Sequence, residues 1–356
     1  MPPSRPSFTL TIGSLSSTTA EPVAGPRAVV VERDMDIPAD AADLHLMDRG
    51  GVALGDAATV ALGTGDGEET VFTGQVVALR PTLSGVAVRA LGTMNELLNL
   101  RVSSMYENQT AGAIARDLIG QAGLSAGSID EGPLLPRYAI DQRLSAFAHL
   151  KELADRLGYE LYADRDGNVR FHALGPSAGL DAAGGGLLGA AAGAAAGLGL
   201  AVPGAGGEGY VFGQHLVGAV ARQAPVGWGE VTVGGESPMS GQGDATAHWL
   251  TVNDADYRGS AGDGAPGVLI LDSAARTKDL AERFAAGHLA VAAREASQVW
   301  VTVLGRPGVE LGDTIAVSDV PDTALNGSGY VRAIHHRFSE GIGFLTDLRV
   351  AIESAA

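Results

Sequence analysis

The chain has 356 residues, of which 46% are hydrophobic and 18% charged, a balance typical of a globular protein of about two to three domains and not of a disordered chain. Its 24 basic and 41 acidic residues give a formal net charge of −17, which repels nucleic-acid backbones, so we expect no nucleic-acid recognition. The absence of cysteine excludes disulfides and Cys-ligated zinc.

The first hundred residues carry the two-residue alternation of half-buried strands. Phe8, Leu10 and Ile12 alternate with threonines, and Gly13 follows as a stop. Turn-rich stretches separate further alternating runs, which lie at 28–31, 52–54, 58–62, 70–79 and 85–91. This density of strands predicts a small antiparallel β-barrel or sandwich, and we assign residues 1–104 to a barrel.

A helical period replaces the alternation after Tyr106. Ile114 and Leu118 belong to an apolar stripe that predicts a helix over about 111–122, with Thr110 placed to cap its start. A second helix is predicted to begin at Ser145 and to end at Gly158. The second helix leads into two short strands around the turn 164–168, whose Asp-Gly pair is typical of a tight hairpin. Residues 105–174 are therefore predicted to form a small α/β insert of two helices and a hairpin.

The remaining residues begin with a Gly/Ala-rich stretch. Residues 175–209 are almost free of charge and are interpreted as a linker or insertion. Residues 210–356 are predicted to form a second β-barrel that carries a long helix at about 274–294, capped near Ser273 or Thr277. The predicted fold class is α+β, mainly β, with two antiparallel barrels and the insert between them.

Four stretches, taken in order, resemble a known family. They are Val71–Val76; 108–111 opening a helix; 145–159 running into the turn 164–168; and Gly305-x-Pro307 with Gly312-Asp313, Gly329-Tyr330-Val331 and His335. Each stretch alone is a turn or a cap, but their order and spacing together resemble the phage late control gene D family. That family is the tail hub, similar in outline to the N-terminal part of type VI secretion spike proteins.

The resemblance implies a structural role without catalysis or a cofactor. Such hubs look like two copies of the tail-tube barrel on one chain, so a homotrimer would present six barrels to a hexameric tail tube and threefold symmetry to a spike. The implied partners are the tube protein, a separate spike protein, baseplate components and a tape measure or cargo. Nothing after Ile352 resembles a spike, and the 175–209 segment looks longer than is usual in the family. Assembly is expected in the cytoplasm, followed by incorporation into a phage tail or tail-like particle.

One motif favours an enzyme instead. Residues Gly175-Pro176-Ser177-Ala178-Gly179 match the nucleophile elbow of hydrolases, whose serine must sit between a buried strand and a helix. Here the motif follows a hairpin and opens a low-complexity run, so a linker serine is the favoured interpretation. A tail-associated cell-wall hydrolase or esterase is one alternative function. A secreted β-rich binding module is the other, although the N-terminus shows no apolar signal region.

Other stretches resemble membrane spans or metal sites. The uncharged run 182–202 is long enough to span a membrane, but it is Ala and Gly without an aromatic belt, so membrane insertion is not expected. Asp164, Asp166 and Asn168 resemble the start of a calcium loop, yet a hairpin turn accounts for them. His335 and His336 are adjacent on a predicted strand and should point to opposite faces, while His149 and His288 lack ligand spacing. We therefore predict no catalytic, cofactor-binding or metal-binding residues.

Overall fold

The computed structural model describes residues 5–65, 67–174, 209–235, 257–322, 325–339 and 341–352. The first part contains seven strands and a short helix: β1 (Pro6–Ile12), β2 (Leu15–Thr18), β3 (Pro26–Asp34), β4 (Ala41–Leu46), β5 (Ala57–Thr64), β6 (Glu68–Thr82), β7 (Gly85–Gly92) and α1 (Asn95–Asn99). The middle part contains β8 (Ser104–Thr110), α2 (Ala111–Gln121), β9 (Ala126–Ile129), β10 (Leu134–Ile140), α3 (Ala146–Leu157), β11 (Tyr159–Ala163) and β12 (Val169–Ala173).

The last part returns mainly to strands. Its elements are β13 (Gly209–Val211), β14 (Leu216–Gln223), β15 (Glu230–Gly235), β16 (Arg258–Gly262), β17 (Gly267–Asp272), α4 (Lys278–Ala296), β18 (Ser297–Leu304), β19 (Thr314–Ser318), β20 (Gly327–Ser339) and β21 (Gly343–Ile352). The prediction of a mainly β chain with antiparallel sheets and few helices is confirmed.

One large sheet joins the first and last parts. Its strand order is β14-β18-β21-β20-β3-β4-β7-β6-β5-β1-β2, with β19 on β20 and β13 on β19. The two parts meet where β20 pairs with β3, with Phe338 opposite Val29 and Ile334 opposite Arg33. Among the described residues this order is an open path, so the predicted pair of closed barrels is not confirmed. Instead, the pairing of β3 with β20 joins the two halves into one continuous sheet.

Each half of the sheet has its own hydrophobic core. The first core contains Ile12, Val29 and Leu62 from the strands of the first part. The second contains Val301, Val331 and Leu348. The alternation of side chains along each strand sends every second residue inward, which is the physical source of both cores. Phe338 on β20 crosses to the first core, where its ring lies 5.2 Å from that of Phe8, centroid to centroid.

Local signals place the helices of the insert as predicted. The Ser145 hydroxyl accepts a hydrogen bond from the Ala148 N–H at 3.2 Å at the start of α3. Gly158 ends that helix with a φ of +70°, a conformation that glycine adopts without steric cost. Thr110 caps α2 in the same way through the Ala113 N–H at 3.1 Å. The two predicted helices therefore form at nearly the predicted residues.

The long helix α4 packs both on the insert and on a small sheet of order β16-β15-β17. It begins at Lys278, where the Thr277 hydroxyl accepts from the Leu280 N–H at 3.2 Å, in agreement with one of the two predicted caps. Its Phe284 shares one core with Leu150 of α3 and Val231 of β15. A Cβ atom at Gly287 would lie 2.2 Å from the backbone oxygen of Arg156, so only glycine allows α4 to approach the end of α3 this closely.

Candidate functional site

The β11–β12 turn is built around one carboxylate. Asp164 Oδ1 accepts from the backbone N–H groups of Asp166 at 3.1 Å and Asn168 at 2.9 Å, and Oδ2 accepts from the Arg170 guanidinium at 3.2 Å. Gly167 takes a φ of +83° at the tip. The predicted hairpin turn is confirmed, with Asp164 as the acceptor that holds it.

Arg165, at the tip of this hairpin, reaches both halves of the large sheet. Its guanidinium pairs with Glu69 of β6 at 2.7 Å and with Glu310 in the loop between β18 and β19. It also donates to the Gly308 carbonyl at 3.1 Å. The Thr93 hydroxyl donates to the Gly167 carbonyl at 3.0 Å, so the turn is attached to the first half at a second point.

Arg33 of β3 also binds Glu310 and contacts the backbone of the hairpin. It pairs with Asp40 at 3.1 Å and with Glu310 at 3.2 Å, and it donates to the Ala163 carbonyl at 3.1 Å. Burial raises the pKa of Asp40 to about 6, an effect that outweighs the ion pair with Arg33. We call the five side chains Arg33, Asp40, Glu69, Arg165 and Glu310 the junction, because they join the insert to both halves of the sheet.

A cleft of about 650 Å³ opens beside the junction. The hairpin forms one wall and the loop before β19 forms the other; the lining residues include Tyr162, Arg170, His172, Leu174, Leu311 and Asp313. Its charges are mixed, and Asp164, Arg165 and Glu310 already hold partners within the protein. Within the part of the cleft that the structure describes, these three charged side chains are therefore already paired.

A second ionic cluster lies deeper, between the insert and the last part of the chain. Glu160 on β11 is fully buried and accepts from Arg294 of α4 at 2.9 Å, from the Tyr330 hydroxyl at 3.2 Å and from Arg332 of β20. Arg332 also pairs with Asp36 at 2.5 Å. Although burial opposes its charge, Glu160 and Asp36 raise the pKa of Arg332. We call Glu160, Arg294, Arg332 and Asp36 the buried ion network.

Sequence reasoning missed this network. Glu160 and Arg332 each interrupt an apolar run, in Tyr159-Glu160-Leu161 and in Val331-Arg332-Ala333. A charged residue between buried neighbours needs a partner of opposite charge, so the interruption was the available signal. The partners themselves are 172 residues apart for Glu160 and Arg332, and no local pattern connects them.

The four histidines considered as metal ligands have different surroundings. His336 is buried, its Nδ1 lies 3.0 Å from the Thr346 hydroxyl, and burial lowers its pKa to about 3. His335 is partly exposed and lies 3.5 Å from Asp347, so the predicted opposite orientation of this pair is confirmed. His149 Nε2 lies 2.9 Å from the Asp141 carbonyl oxygen. Burial lowers the pKa of His288, whose ring lies in α4.

Two features singled out in the sequence, Ser177 of the nucleophile-elbow motif and the uncharged run 182–202, lie outside the described residues. Within the described ranges, no three histidine, aspartate or glutamate side chains group as metal ligands would. No helix in those ranges has both the length and the apolar character needed to cross a membrane.

No protein-family model matches the chain, and no curated protein matches it. Solved structures do. A 43 kDa tail protein of prophage MuSo2 from Shewanella oneidensis is 16% identical, with a TM-score of 0.68 over 98% of this chain and 99% of that one. A tail protein from Neisseria meningitidis MC58 is 14% identical, with a TM-score of 0.69 over 98% and 97%.

This chain has the fold of phage tail proteins. The resemblance predicted from the order of the four stretches is thereby confirmed at the level of the fold, since identities this low carry the fold alone. A third similar structure is the E. coli c3393 protein, described as a component of the type VI secretion system with structural similarity to the T4 bacteriophage tail proteins gp27 and gp5. It is 11% identical, with a TM-score of 0.55 over 97% of this chain and 77% of that one.

Proposed function

We propose that the chain is a structural hub of a contractile tail or injection system, a homotrimer that joins a hexameric tail tube to a trimeric spike. The observation that carries the proposal is the division of one sheet into two β-halves, each with its own core, on a single chain. Three copies would present six such halves, which matches a sixfold tube at one end and a threefold spike at the other.

Each half would act as a tube-like barrel in the assembled particle, with domain boundaries at residues 1–104, 105–174, 175–209 and 210–356. The partners would be the tube protein, a separate spike protein, baseplate components and a tape measure or cargo. The chain would assemble in the cytoplasm and then travel as part of the particle. Likeness to tail proteins over nearly the whole chain supports this role.

The role would be mechanical and not catalytic. Its strength would come from well-packed contacts between subunits. Within the chain, the buried ion network and the junction support this proposal, because they hold the insert to both halves of the sheet. A hub driven forward with the tube must transmit force through such contacts without changing shape.

Sedimentation velocity of the full chain, alone and with its tube and spike proteins, tests the proposal. We expect a species of three times the chain mass that binds the spike protein with one spike trimer per hub trimer. A monomer that persists with the spike protein present would overturn the trimeric adaptor. Measurable esterase or cell-wall hydrolysis that disappears in Ser177→Ala would overturn the non-enzymatic role.

A further inference from the structure

The small sheet β16-β15-β17 packs one of its faces on α4. Val231 and Val233 of β15 are buried in the core that contains Phe284 of α4. On β16, a Cβ atom at Gly259 would lie 2.2 Å from the backbone nitrogen of Glu282, so this strand also lies directly on the helix. Because side chains alternate along a strand, the residues next to these point away from α4. We call that other side of the small sheet its outer face.

Two exposed leucines of β17 lie together on the outer face. Leu269 is 52% exposed and Leu271 is 79% exposed. Val268 and Ile270, which alternate with them, pack against the core on the other face. Both leucines lie over one glycine, since a Cβ atom at Gly234 would stand 3.1 Å from Leu271 Cδ2 and 3.7 Å from Leu269 Cδ1. They therefore form one contiguous apolar surface, which is typical of a contact site and not of apolar residues scattered singly.

The neighbouring part of the outer face is polar. Thr232 lies opposite Leu269 in the register of β15 and β17. The Thr232 hydroxyl lies 2.8 Å from the Ser260 hydroxyl of β16, so a hydrogen bond joins these two strands on this face. The apolar surface is therefore confined to β17, at the rim of the small sheet. An occupant that covers the leucines must lie beside β17.

β17 is an edge strand in the part of the chain that the structure describes. It pairs in parallel with β15, and no strand lies on its other side there. The N–H and C=O groups along such an edge can pair with a strand of another protein. Charges or proline usually protect an edge, but the stretch from Gly267 to Leu271 carries neither. Asp272, which follows, is buried and pairs with Arg156 at 2.5 Å, so its charge does not protect the edge.

A carboxylate lies near the start of this edge. Glu230 is opposite Gly267 in the register, one outward position before the pair of Thr232 with Leu269. Its Oε2 lies 3.6 Å from the place that a Cβ atom would take at Gly267, so the carboxylate extends over β17. A strand beside β17 would meet this anion at one position and a leucine at each of the next two positions on the same face. Opposite charge at the first of these positions would favour binding.

We propose that the edge of β17 binds an extended segment of a partner protein by strand addition. The segment carries two apolar side chains, two residues apart, against Leu269 and Leu271. A lysine or arginine, two residues further along, lies against Glu230. Backbone hydrogen bonds supply the affinity and these three side chains supply the specificity. The site goes beyond the proposed hub, since it requires neither the trimer nor the tube and spike.

Peptide binding tests the site. The probes are two fluorescein-labelled peptides, TKTVTVT for a parallel strand and TVTVTKT for an antiparallel one, titrated with the full chain and followed by fluorescence anisotropy. We expect saturable binding of one of them. That peptide is then N-methylated either at both valines or at the threonines between and beside them. One version should lose binding and the other should keep it, because only alternate residues of an added strand bond to β17.

Three variants of the full chain test the side chains. Leu271→Asp should weaken binding by at least about tenfold, because it removes an apolar contact at the centre of the site. Glu230→Lys should also weaken it by at least about tenfold, and should favour a peptide with glutamate in place of lysine. Ile342→Asp is the matched control, on a side chain 63% exposed between β20 and β21, and should leave binding unchanged. Circular dichroism checks the folding of each variant.

Several outcomes would overturn strand addition at β17. They are no saturable binding of either peptide, equal binding by the two N-methylated versions, and equal binding by wild type and the Glu230→Lys variant. If Leu271→Asp weakens self-association in sedimentation velocity, a second copy occupies the edge and the partner segment is excluded. If Leu271→Asp fails to fold, the methylated peptides on the wild-type chain decide. The hub is tested separately, by the trimer and its binding of the spike protein.

Discussion

The insert is held to the sheet in two places, and water reaches the two places to different extents. In the buried ion network, Glu160 is 0% exposed and Arg332 is 1% exposed at the side chain. At the hairpin tip of the junction, Arg165 and Glu310 are 27% and 26% exposed, although Arg33 and Asp40 beneath them are buried. The residue types are the same, arginine against glutamate, yet the surroundings differ. Burial removes the water that would otherwise solvate a charge left alone, so the deeper pairs should be far more sensitive to loss of one partner.

The largest effect is expected in the buried ion network. Glu160→Gln would remove the negative charge that Arg294 and Arg332 share and leave both guanidinium groups buried with less compensation. We expect a loss of about 3–5 kcal/mol in the free energy of unfolding. Chemical denaturation followed by circular dichroism measures it. Glu282→Gln, which removes an exposed partner of Lys278, is the control and should change stability little. A loss below about 1 kcal/mol for Glu160→Gln would remove the contrast between the two places.

The next effect concerns His336, whose low pKa comes first from burial and then from nearby charges that include Arg33 of the junction. The folded pKa of about 3 lies below the unfolded value of about 6.5, so the unfolded chain binds the proton first. Stability is therefore lost as pH falls from about 6.5 toward 3, by up to about 1.4 kcal/mol per pH unit. His336→Gln cannot take up the proton, so its free energy of unfolding, measured by chemical denaturation, should depend less on pH between pH 7 and 4. The same dependence on pH in the variant and the wild type would contradict this role of His336.

Asp40 should act in the opposite direction and over a narrower range. Its folded pKa of about 6 exceeds the model-peptide value of 3.8, so between these values the folded protein binds more protons than the unfolded chain. This group therefore raises stability as pH falls from about 7 to 4, and it opposes the effect of His336. Asp40→Asn should make the acid-induced loss of stability steeper. The double variant with His336→Gln separates the two contributions. A smaller loss of stability with falling pH in Asp40→Asn alone would contradict the expected direction.

The smallest global effect is expected at the tip of the hairpin. Arg165→Ala would remove partly exposed ion pairs with Glu69 and Glu310, for which we expect a loss of about 1 kcal/mol or less. The local effect should be clearer, because residues 164–168 would lose the stronger of their two attachments to the sheet, and the Thr93 hydrogen bond to Gly167 would remain. Hydrogen exchange of the Gly167 and Asn168 amides should become faster. Arg143→Ala, on a side chain 89% exposed, should leave those amides unchanged. If these two amides exchange as slowly in Arg165→Ala as in the wild type, Thr93 alone holds the turn.

The parts that could be predicted from the sequence are those whose causes lie a few residues apart. Thr110, Ser145 and Gly158 mark the ends of helices because their caps involve the next turn of the same helix. The turn 164–168 follows from one carboxylate and one glycine within five residues. The opposite orientation of His335 and His336 follows from the two-residue period of a strand. In each case the deciding atoms are neighbours along the chain.

The junction and the buried ion network could not be predicted in this way. Arg33 reaches Glu310 across 277 residues, and Arg332 reaches Asp36 across 296. Their charges stand in the sequence without any sign of which partner each will meet. Pairing over such distances depends on which strands lie side by side, and a local pattern carries no information about that choice.

By itself, the sequence determined the mainly β character of the chain, the ends of its predicted helices and the turn 164–168, because period and capping are local properties of the chain. It missed strands such as β4 and β14, and the alternating run 52–54 that it predicted as a strand does not form one. Only the tertiary structure decided that β3 would pair with β20, so that within the described residues strands of both predicted barrels lie in one open sheet with two cores. The physical reason is that any strand with the right alternation offers the same backbone hydrogen bonds to many partners. The choice among those partners is made by the packing of side chains that are distant in sequence.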